Sequence, residues 1–442
     1  MTRKALFIVI FMTVLSCRNE DLHLFDNFSR FGITKVQTNG GSLNDGYQSI
    51  VSTNDGGYAL LGFTQSNDFD IQTKSDISYD FWLSRYASDH TLQWSKTYGG
   101  SGDDRGSDIV ATSDGGFAIL GFSTSSDGDV RTNNGIRDFW VMKTDAQGSI
   151  QWQETFGFSG SDYGVSLIET KDNGLLLAGV LDVTASGGQG NSKSASRHAG
   201  GDFWVIKLAQ DGTKEWTRYF GGSFTDTPFG VIETDDNQFI VAGSSDSDDV
   251  DISNNKGSYD FWVTAIDQNG NLVWERNFGG SEIDEARGIT KASDGNLVII
   301  GDTRSTNQDI TINNGAADLW MIKIDTSGNL LWQKSVGGAS FDAGRSISNA
   351  LNNGFIISGS TRSTNAQIKN EGQNDAWILG LNDQGDILWQ HTIGGSEIDV
   401  FYDAIQLNDQ TILAVGDSRS NNADILNNKG FTDGLIATLK NQ

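Results

Sequence analysis

Aspartate recurs at one position of a repeated pattern, a few residues after a turn that reads Gly-Gly-Ser or a close variant. Carboxylates at this spacing could form a ring that holds cations. A short Asp side chain beside glycines also caps local backbone N–H groups, and an element present in every repeat is more often scaffold. We therefore interpret this set as a structural ring, formed by Asp45, Asp104, Asp162, Asp226, Asp284, Asp342 and Asp399.

A second set of oxygen-bearing side chains alternates along longer polar loops that read Ser-x-Asp/Asn-x-Asp/Gln and then Ile or Val. Alternating oxygens on a tight loop suit a hard cation such as calcium, and solvated turns are the alternative. Two of the loops carry less charge, with Asn307 and Asp309 in one and Asn365 and Gln367 in the other. The candidate metal ligands are Asp68, Asp70, Asp127, Asp129, Asp249 and Asp251.

The residues that follow the ring aspartates change from repeat to repeat, alternating between aromatic side chains and arginine. A scaffold position would repeat, so this variation favours a binding role. Aromatic faces with arginines and carboxylates suit a sugar ring or an extended peptide, and burial between neighbouring repeats is the alternative. The ligand-binding candidates are Tyr47, Arg105, Tyr163, Phe224, Phe229, Arg287, Arg345, Phe401 and Tyr402.

The long loops also differ in charge and length. Those of the first, second and fourth repeats are acidic, whereas the last three carry Arg304, Arg362 and Arg419. This predicts an acidic sector and a more basic sector on one face. The third repeat has an insertion from Thr184 to Gly201 that contains His198, either a specificity element or only a flexible loop.

Catalytic signatures are missing from the sequence. It has no G-x-S-x-G elbow, phosphate-binding loop or dinucleotide fingerprint. Carboxylate pairs for glycoside hydrolysis could be assembled from many aspartates, so their presence discriminates nothing. With four histidines and one cysteine, neither a His-rich metal site nor a thiolate cluster is expected, and we predict no certain cofactor, with calcium the one candidate.

The elements that position these residues follow from an internal repeat. Asp-Phe-Trp or a variant begins at Asp80, Asp138, Asp202, Asp260, Asp318, Asp375 and Asp433. Each unit reads as four short strands separated by Asp/Asn/Gly turns, which predicts an all-β, seven-bladed β-propeller with four antiparallel strands per blade. The last unit stops before its fourth strand, so we expect the N-terminal segment from Phe31 to Thr38 to complete that blade and close the ring.

The segment from Ile324 to Trp332 resembles the repeat of quinoprotein-type (PQQ-like) propellers, and the whole unit resembles glycine-rich repeats of about 58 residues in secreted bacterial propellers. This resemblance implies the fold. Quinoprotein dehydrogenases typically have eight blades and often a vicinal disulfide, so seven repeats and one cysteine argue against quinone-dependent catalysis.

Composition narrows the partners. The 442 residues include 54 glycines and one proline, and the formal net charge is −26. A chain this acidic is repelled by nucleic acid and by anionic membrane, so neither is an expected partner. We expect a monomer.

The N-terminus resembles a bacterial lipoprotein signal. Arg3 and Lys4 precede an apolar run that ends at Leu15, and Ser16 then Cys17 follow, as in a lipobox. The resemblance implies a signal peptide over 1–16, lipidation of Cys17, a tether over 17–29 and one propeller domain over 30–442. An ordinary signal peptide with an incidental cysteine is the alternative.

Together these features predict a non-catalytic binding module for a glycan or protein ligand. The lipid anchor would hold it to the outer membrane, on the cell surface or the periplasmic face. A scaffold in outer-membrane assembly is the alternative, since the propeller lipoprotein of the barrel-assembly machinery resembles this chain in its repeats and anchor. A glycan-cleaving or quinone-dependent enzyme is a third, less favoured reading.

Overall fold

The computed structural model describes residues 31–186, 198–365 and 368–442. The expected signal peptide and Cys17 tether lie outside these residues. Each repeat forms one four-stranded antiparallel sheet, and the first strand of every sheet contacts the first strands of the two neighbouring sheets. The seven sheets therefore form a closed seven-bladed β-propeller, as the repeat predicts.

The first strands surround the central channel, and the fourth strands lie at the periphery. The innermost strands are β2 (Asp45–Ser52), β6 (Asp104–Ala111), β10 (Tyr163–Glu169), β14 (Asp226–Glu233), β18 (Asp284–Lys291), β22 (Asp342–Asn349) and β26 (Asp399–Gln406). The second strands are β3 (Tyr58–Thr64), β7 (Phe117–Ser123), β11 (Leu175–Asp182), β15 (Phe239–Ser245), β19 (Leu297–Thr303), β23 (Phe355–Thr361) and β27 (Ile412–Ser418).

The third strands each contain the Asp-Phe-Trp motif or its variant: β4 (Asp80–Tyr86), β8 (Asp138–Thr144), β12 (Gly201–Leu208), β16 (Asp260–Ile266), β20 (Asp318–Ile324), β24 (Asp375–Leu381) and β28 (Asp433–Asn441). The outermost strands are β5 (Leu92–Tyr98), β9 (Ile150–Phe156), β13 (Lys214–Phe220), β17 (Leu272–Phe278), β21 (Leu330–Val336), β25 (Ile387–Ile393) and, in the last blade, β1 (Phe31–Asn39). A four-residue helix, α1 (Val183–Ser186), begins the insertion of the third repeat.

The N-terminal strand closes the ring, as the sequence predicts. β1 pairs antiparallel with β28, from Phe31 opposite Asn441 to Asn39 opposite Gly434. The last blade therefore contains strands from both ends of the described chain, and this pairing closes the ring.

Aromatic side chains fill the space between blades. The Phe of one Asp-Phe-Trp motif packs on the Trp of the next blade, with ring centroids 4.7 Å apart for Phe81 and Trp140 and 4.5 Å apart for Phe203 and Trp262. These tryptophans therefore pack between neighbouring blades. Within the described residues, no helix is both long enough and apolar enough to traverse a bilayer.

Candidate functional site

Every innermost strand contains a β-bulge at the same point. In the fourth blade, Pro228 pairs with Gly243 and Gly230 pairs with Ala242, so Phe229 between them is left without a cross-strand partner. A bulge re-aims one side chain out of the regular alternation, here towards the channel. The bulged residues of the seven blades are Gln48, Ser107, Val165, Phe229, Arg287, Arg345 and Tyr402.

These bulged residues line a cavity of about 610 Å³ in the channel, which we name the channel cavity. The large bulged side chains come from the fourth to seventh blades, Phe229, Arg287, Arg345 and Tyr402, and the smaller ones come from the first three. Tyr163 of the third blade adds another aromatic ring to the lining. The large bulged side chains are therefore confined to four adjacent blades, while Phe122, Arg137 and Tyr163 line the cavity from the second and third blades.

Arg287 is held in place by three neighbours. Its Nη2 donates to Glu285 Oε2 at 2.8 Å, and its Nε lies 3.7 Å from Asp302 Oδ1. Its guanidinium carbon lies 4.7 Å from the centre of the Phe229 ring, within the range of a cation–π contact. Both side chains are thus fixed relative to each other in the cavity wall.

Arg345, unlike Arg287, has no carboxylate within ion-pair distance among the described residues. Its Nε is buried and has no hydrogen-bond partner among the described residues. Burial, and next the charge of Arg287, lower the pKa of Arg345 from its ordinary value. A buried guanidinium with an open donor is the kind of group that a carboxylate or other anion would satisfy.

Below the bulged residues, serine and aspartate side chains connect five innermost strands. Asp108 accepts from Ser49 Oγ at 2.9 Å and Ser166 Oγ at 3.1 Å, and Asp403 accepts from Ser346 Oγ at 2.6 Å and Ser49 Oγ at 3.3 Å. Burial raises the pKa of Asp108 to about 6 and also raises that of Asp403. Both carboxyls also accept backbone N–H groups, so this chain ties the strands together beneath the cavity.

Five of the predicted ligand-binding residues meet in the channel cavity, and four do not. Tyr47 and Phe401 are fully buried in the blade core, which corrects their prediction as ligand contacts. Tyr47 stacks on Trp82, with ring centroids 4.6 Å apart. Arg105 lies over the Tyr79 ring and pairs with Asp103 at 2.7 Å, and Phe224 projects from a loop with 60% exposure, both outside the cavity lining.

Only some of the predicted residues reach the cavity because they occupy different positions after the ring aspartate. Tyr47 and Phe401 stand two residues after it and point into the core, whereas the bulge stands three residues after it. Sequence reasoning therefore missed Gln48, Ser107 and Val165. Counting three residues from each ring aspartate would have found them.

The ring aspartates are buried structural acceptors. Asp342 accepts the backbone N–H of Gly338 at 2.7 Å and the hydroxyls of Ser363, at 2.6 Å, and Thr361. All seven are 0% exposed. Asp162 instead accepts the backbone N–H groups of Phe158 and Asp182. Burial raises the pKa of the Asp162 carboxyl to about 6.

The candidate metal ligands brace the connections between blades. Asp127 Oδ1 accepts Ser101 N at 2.7 Å and Asp129 Oδ2 accepts Gly99 N at 3.2 Å, and Asp68 and Asp70 do the same for Ser42 and Gly40. Asp249 and Asp251 repeat the contact with Ser223 and Gly221. Among the described residues, no group of three or more His, Cys, Asp or Glu side chains could hold a metal ion together.

Two of the three arginines predicted for the last three blades lie against one aromatic ring, that of Phe341. The guanidinium carbons of Arg304 and Arg362 lie 5.9 Å and 5.8 Å from the centre of the Phe341 ring. Arg419 interacts with Asp417, whose pKa burial raises to about 7. In the third blade, His198 lies 2.9 Å from Asp202, and residues 187–197 of the insertion lie outside the described chain.

No protein-family model matches this chain, and neither does any curated protein. Among solved structures, it is similar to the WD40 domain of Pan2 from Neurospora crassa at 8% identity, with a TM-score of 0.49 over 92% of this chain and 95% of that one. A BBS1N structure in complex with ARL6DN matches at 9% identity and TM-score 0.47, over 93% and 97% of the two chains. A luciferin-regenerating enzyme matches at 10% identity and TM-score 0.38, over 82% and 99%. At these identities, none of these proteins assigns a function to this chain.

Proposed function

We propose that this protein is a non-catalytic binding module that takes an anionic sugar residue of a glycan into the channel cavity. The observation that carries the proposal is the convergence of Phe229, Arg287, Arg345 and Tyr402, from four adjacent blades, on that cavity. An arginine pair can bind a carboxylate, and the neighbouring rings can pack against the apolar face of a sugar. A cavity of about 610 Å³ has the size of a small-ligand site.

The charge of the cavity supports this ligand class. The chain as a whole has a formal net charge of −26, yet three arginines line the cavity: Arg137, Arg287 and Arg345. The two aspartates of the lining, Asp108 and Asp403, already accept hydroxyl and backbone N–H groups. An incoming carboxylate would therefore meet guanidinium donors rather than free carboxylates.

A binding role also fits the chemistry that the cavity offers. Among the cavity-lining residues of the described chain, none is a histidine or a cysteine. Asp108 and Asp403 already accept hydroxyl and backbone N–H groups in the chain of hydrogen bonds beneath the cavity, which favours a structural role for both carboxyls.

We further propose that lipidation of Cys17 anchors the protein in the bacterial outer membrane and that the cavity faces away from the membrane. In the described chain, Phe31 lies at the opposite end of β1 from Gly40 and the inter-blade loops, near which the bulges stand. A tether reaching Phe31 would thus approach the other face. Replacing Cys17 with Ser should release the protein from the membrane fraction, and retention there would contradict the anchor.

The binding proposal is tested with the full chain, purified in detergent, on an array of uronic-acid and neutral oligosaccharides. Acidic glycans should bind, and Phe229→Ala and Tyr163→Ala should each weaken binding at least tenfold. Phe224→Ala is the matched control, because Phe224 is an exposed ring outside the cavity. Equal affinity of the Phe229→Ala variant would contradict the site. Absence of acidic-glycan binding would contradict the ligand class and favour a protein partner, as expected of an assembly scaffold.

A further inference from the structure

Neighbouring blades meet at what we call seams, and at the periphery of most seams a tryptophan packs on a glycine. At five of the seven seams, the indole of an outermost strand packs on a glycine of the next blade, in the turn between that blade's third and fourth strands. A Cβ on that glycine would lie 2.9 to 3.2 Å from the indole, and the glycine has a φ between 72° and 86°. The pairs are Trp94 with Gly148, Trp152 with Gly212, Trp216 with Gly270, Trp274 with Gly328, and Trp332 with Gly385.

The seam between the last blade and the first blade lacks this pair. In β1, Lys35 occupies the tryptophan position: it pairs with Thr438 just as Trp216 pairs with Lys207, next to the same register shift. In the first blade, His90 occupies the glycine position and keeps its left-handed backbone, with φ 66°. A side chain is tolerated there because no indole covers the turn.

A second replacement widens the gap at this seam. The residue before the inter-blade glycine is large and apolar in the other six outermost strands, such as Tyr98 or Ile393, but in β1 it is Asn39. Asn39 donates its side-chain N–H groups to the hydroxyls of Tyr86 at 3.0 Å and Tyr47 at 3.2 Å. This seam thus carries a polar amide where the other seams carry a large aromatic or aliphatic side chain.

The result is a cavity of about 580 Å³ between β1 and the first blade, which we name the seam cavity. Trp82 and Tyr86 form its base, and Phe69 stands at its edge with 60% of its surface exposed. Phe69 holds a left-handed backbone conformation, with φ 51°, that is rarely adopted by an aromatic residue.

The lining of the seam cavity is polar without free charge. Gln37, Gln72 and Thr73 contribute amides and a hydroxyl, and His90 adds its imidazole ring to the lining. The one carboxylate, Asp70, is paired with Lys429 at 2.9 Å and accepts Gly40 N at 3.0 Å. An uncharged ligand with many hydroxyls suits such a lining better than an ion does.

We propose that the seam cavity is a second binding site, for a neutral sugar residue of a glycan. The exposed face of Phe69 would pack against the C–H face of a pyranose ring, whose hydrogens carry partial positive charge toward the π-system. The amides of Gln37 and Gln72 and the His90 ring would exchange hydrogen bonds with the sugar hydroxyls. This site is independent of the channel cavity, since the two cavities share no lining residue.

The test uses the full chain and isothermal titration calorimetry with neutral oligosaccharides of glucose, mannose, galactose and N-acetylglucosamine. At least one series should bind, and Phe69→Ala should weaken that binding at least tenfold. The Lys35→Trp/His90→Gly double variant restores the pair that closes five other seams, so it should fill the cavity and abolish neutral-sugar binding. Phe224→Ala, an equally exposed ring elsewhere, should leave binding unchanged.

Three results would overturn the proposal: no neutral sugar binds, binding survives in Phe69→Ala, or binding survives in a folded double variant. Phe69 is exposed, so its alanine variant gives an answer even if the double variant does not fold. Binding of acidic glycans should respond to Phe229→Ala and not to Phe69→Ala, which separates a failure of this site from a failure of the channel cavity.

Discussion

Gly148 lies directly under the indole of Trp94, and a Cβ at Gly148 would sit 2.9 Å from Trp94 Cη2. Its φ of 72° places it in the left-handed region as well. Two separate constraints, one on the backbone and one on the space above it, therefore require glycine at this position.

These two constraints can be measured separately. Gly115, in the same blade, has a φ of 88° but nothing within 4 Å of an added Cβ. Gly115→Ala should lower the free energy of unfolding by about 1 kcal/mol, the cost of holding alanine in the left-handed conformation. Gly148→Ala adds an overpacked contact and should cost roughly 2 to 4 kcal/mol in all. Chemical denaturation of both variants gives the comparison, and equal losses would show that the indole contact contributes nothing.

The period of the repeat was enough to predict the blade count, the four strands and the closure by β1, because turns and strand alternation are local properties of the sequence. The partnership of Trp94 with Gly148 is not local, since it joins two blades across 54 positions of the chain. Lys35 and His90 are visible as exceptions in the sequence, but only the structure shows that they take the tryptophan and glycine positions of one and the same seam.

Only part of the lining of the channel cavity was among the predicted ligand-binding residues, and the reason is again that the decisive feature is not local to the sequence pattern. Tyr163, Phe229, Arg287, Arg345 and Tyr402 reach it, but Tyr47 and Phe401 are buried, because the side of a strand on which a residue lies depends on the exact register. The bulge shifts that register in every innermost strand, and no residue type marks it in the sequence.

Calcium should not stabilise the acidic loops. Backbone N–H groups already point at the oxygens that a cation would take, as at Asp127, whose Oδ1 lies 2.7 Å from Ser101 N. Neutral Asn307 makes the same contact with Ser281 N at 2.9 Å, so the contact does not depend on charge. Neither a chelator nor millimolar calcium should change the melting temperature, and Asp127→Asn should be nearly neutral while Asp127→Ala destabilises. A rise in melting temperature on calcium addition would contradict this prediction.

Stability should fall as the pH rises from about 4 to about 7. Burial raises the pKa of Asp226 and Asp260 to about 7 and that of Asp138 to about 6. A carboxyl whose pKa is higher in the folded state holds its proton there after the unfolded chain has lost it, so folding weakens across the interval between the two pKa values. Each such group costs up to about 1.4 kcal/mol per pH unit inside that interval.

The free energy of unfolding, measured by denaturant titration at several pH values, checks this expectation. Exposed aspartates with lowered pKa values, such as Asp114 at about 2, act only in more acidic solution and do not offset the trend. A free energy of unfolding that increases steadily from about pH 4 to about pH 7 would contradict the assigned shifts.

The Ser49 hydroxyl lies between two buried carboxyls, 2.9 Å from Asp108 Oδ1 and 3.3 Å from Asp403 Oδ2. A hydroxyl has one proton, so it can donate to only one carboxylate at a time. Ser49→Ala removes that donor and should cost about 1 to 3 kcal/mol, because it leaves buried carboxylate oxygens less satisfied. The cost should grow with pH, since the ionised carboxylate needs the donor more than the neutral acid does.

Ser346→Ala is the matched control, because Ser346 donates to Asp403 alone, at 2.6 Å. It should also destabilise the fold, but it leaves the link between Asp108 and Asp403 intact. Denaturation of both variants at about pH 5 and about pH 8 separates the two roles. If Ser49 bridges the two carboxyls, the loss in free energy of unfolding should increase more with pH for Ser49→Ala than for Ser346→Ala. A loss in Ser49→Ala that does not change with pH would contradict the bridging role.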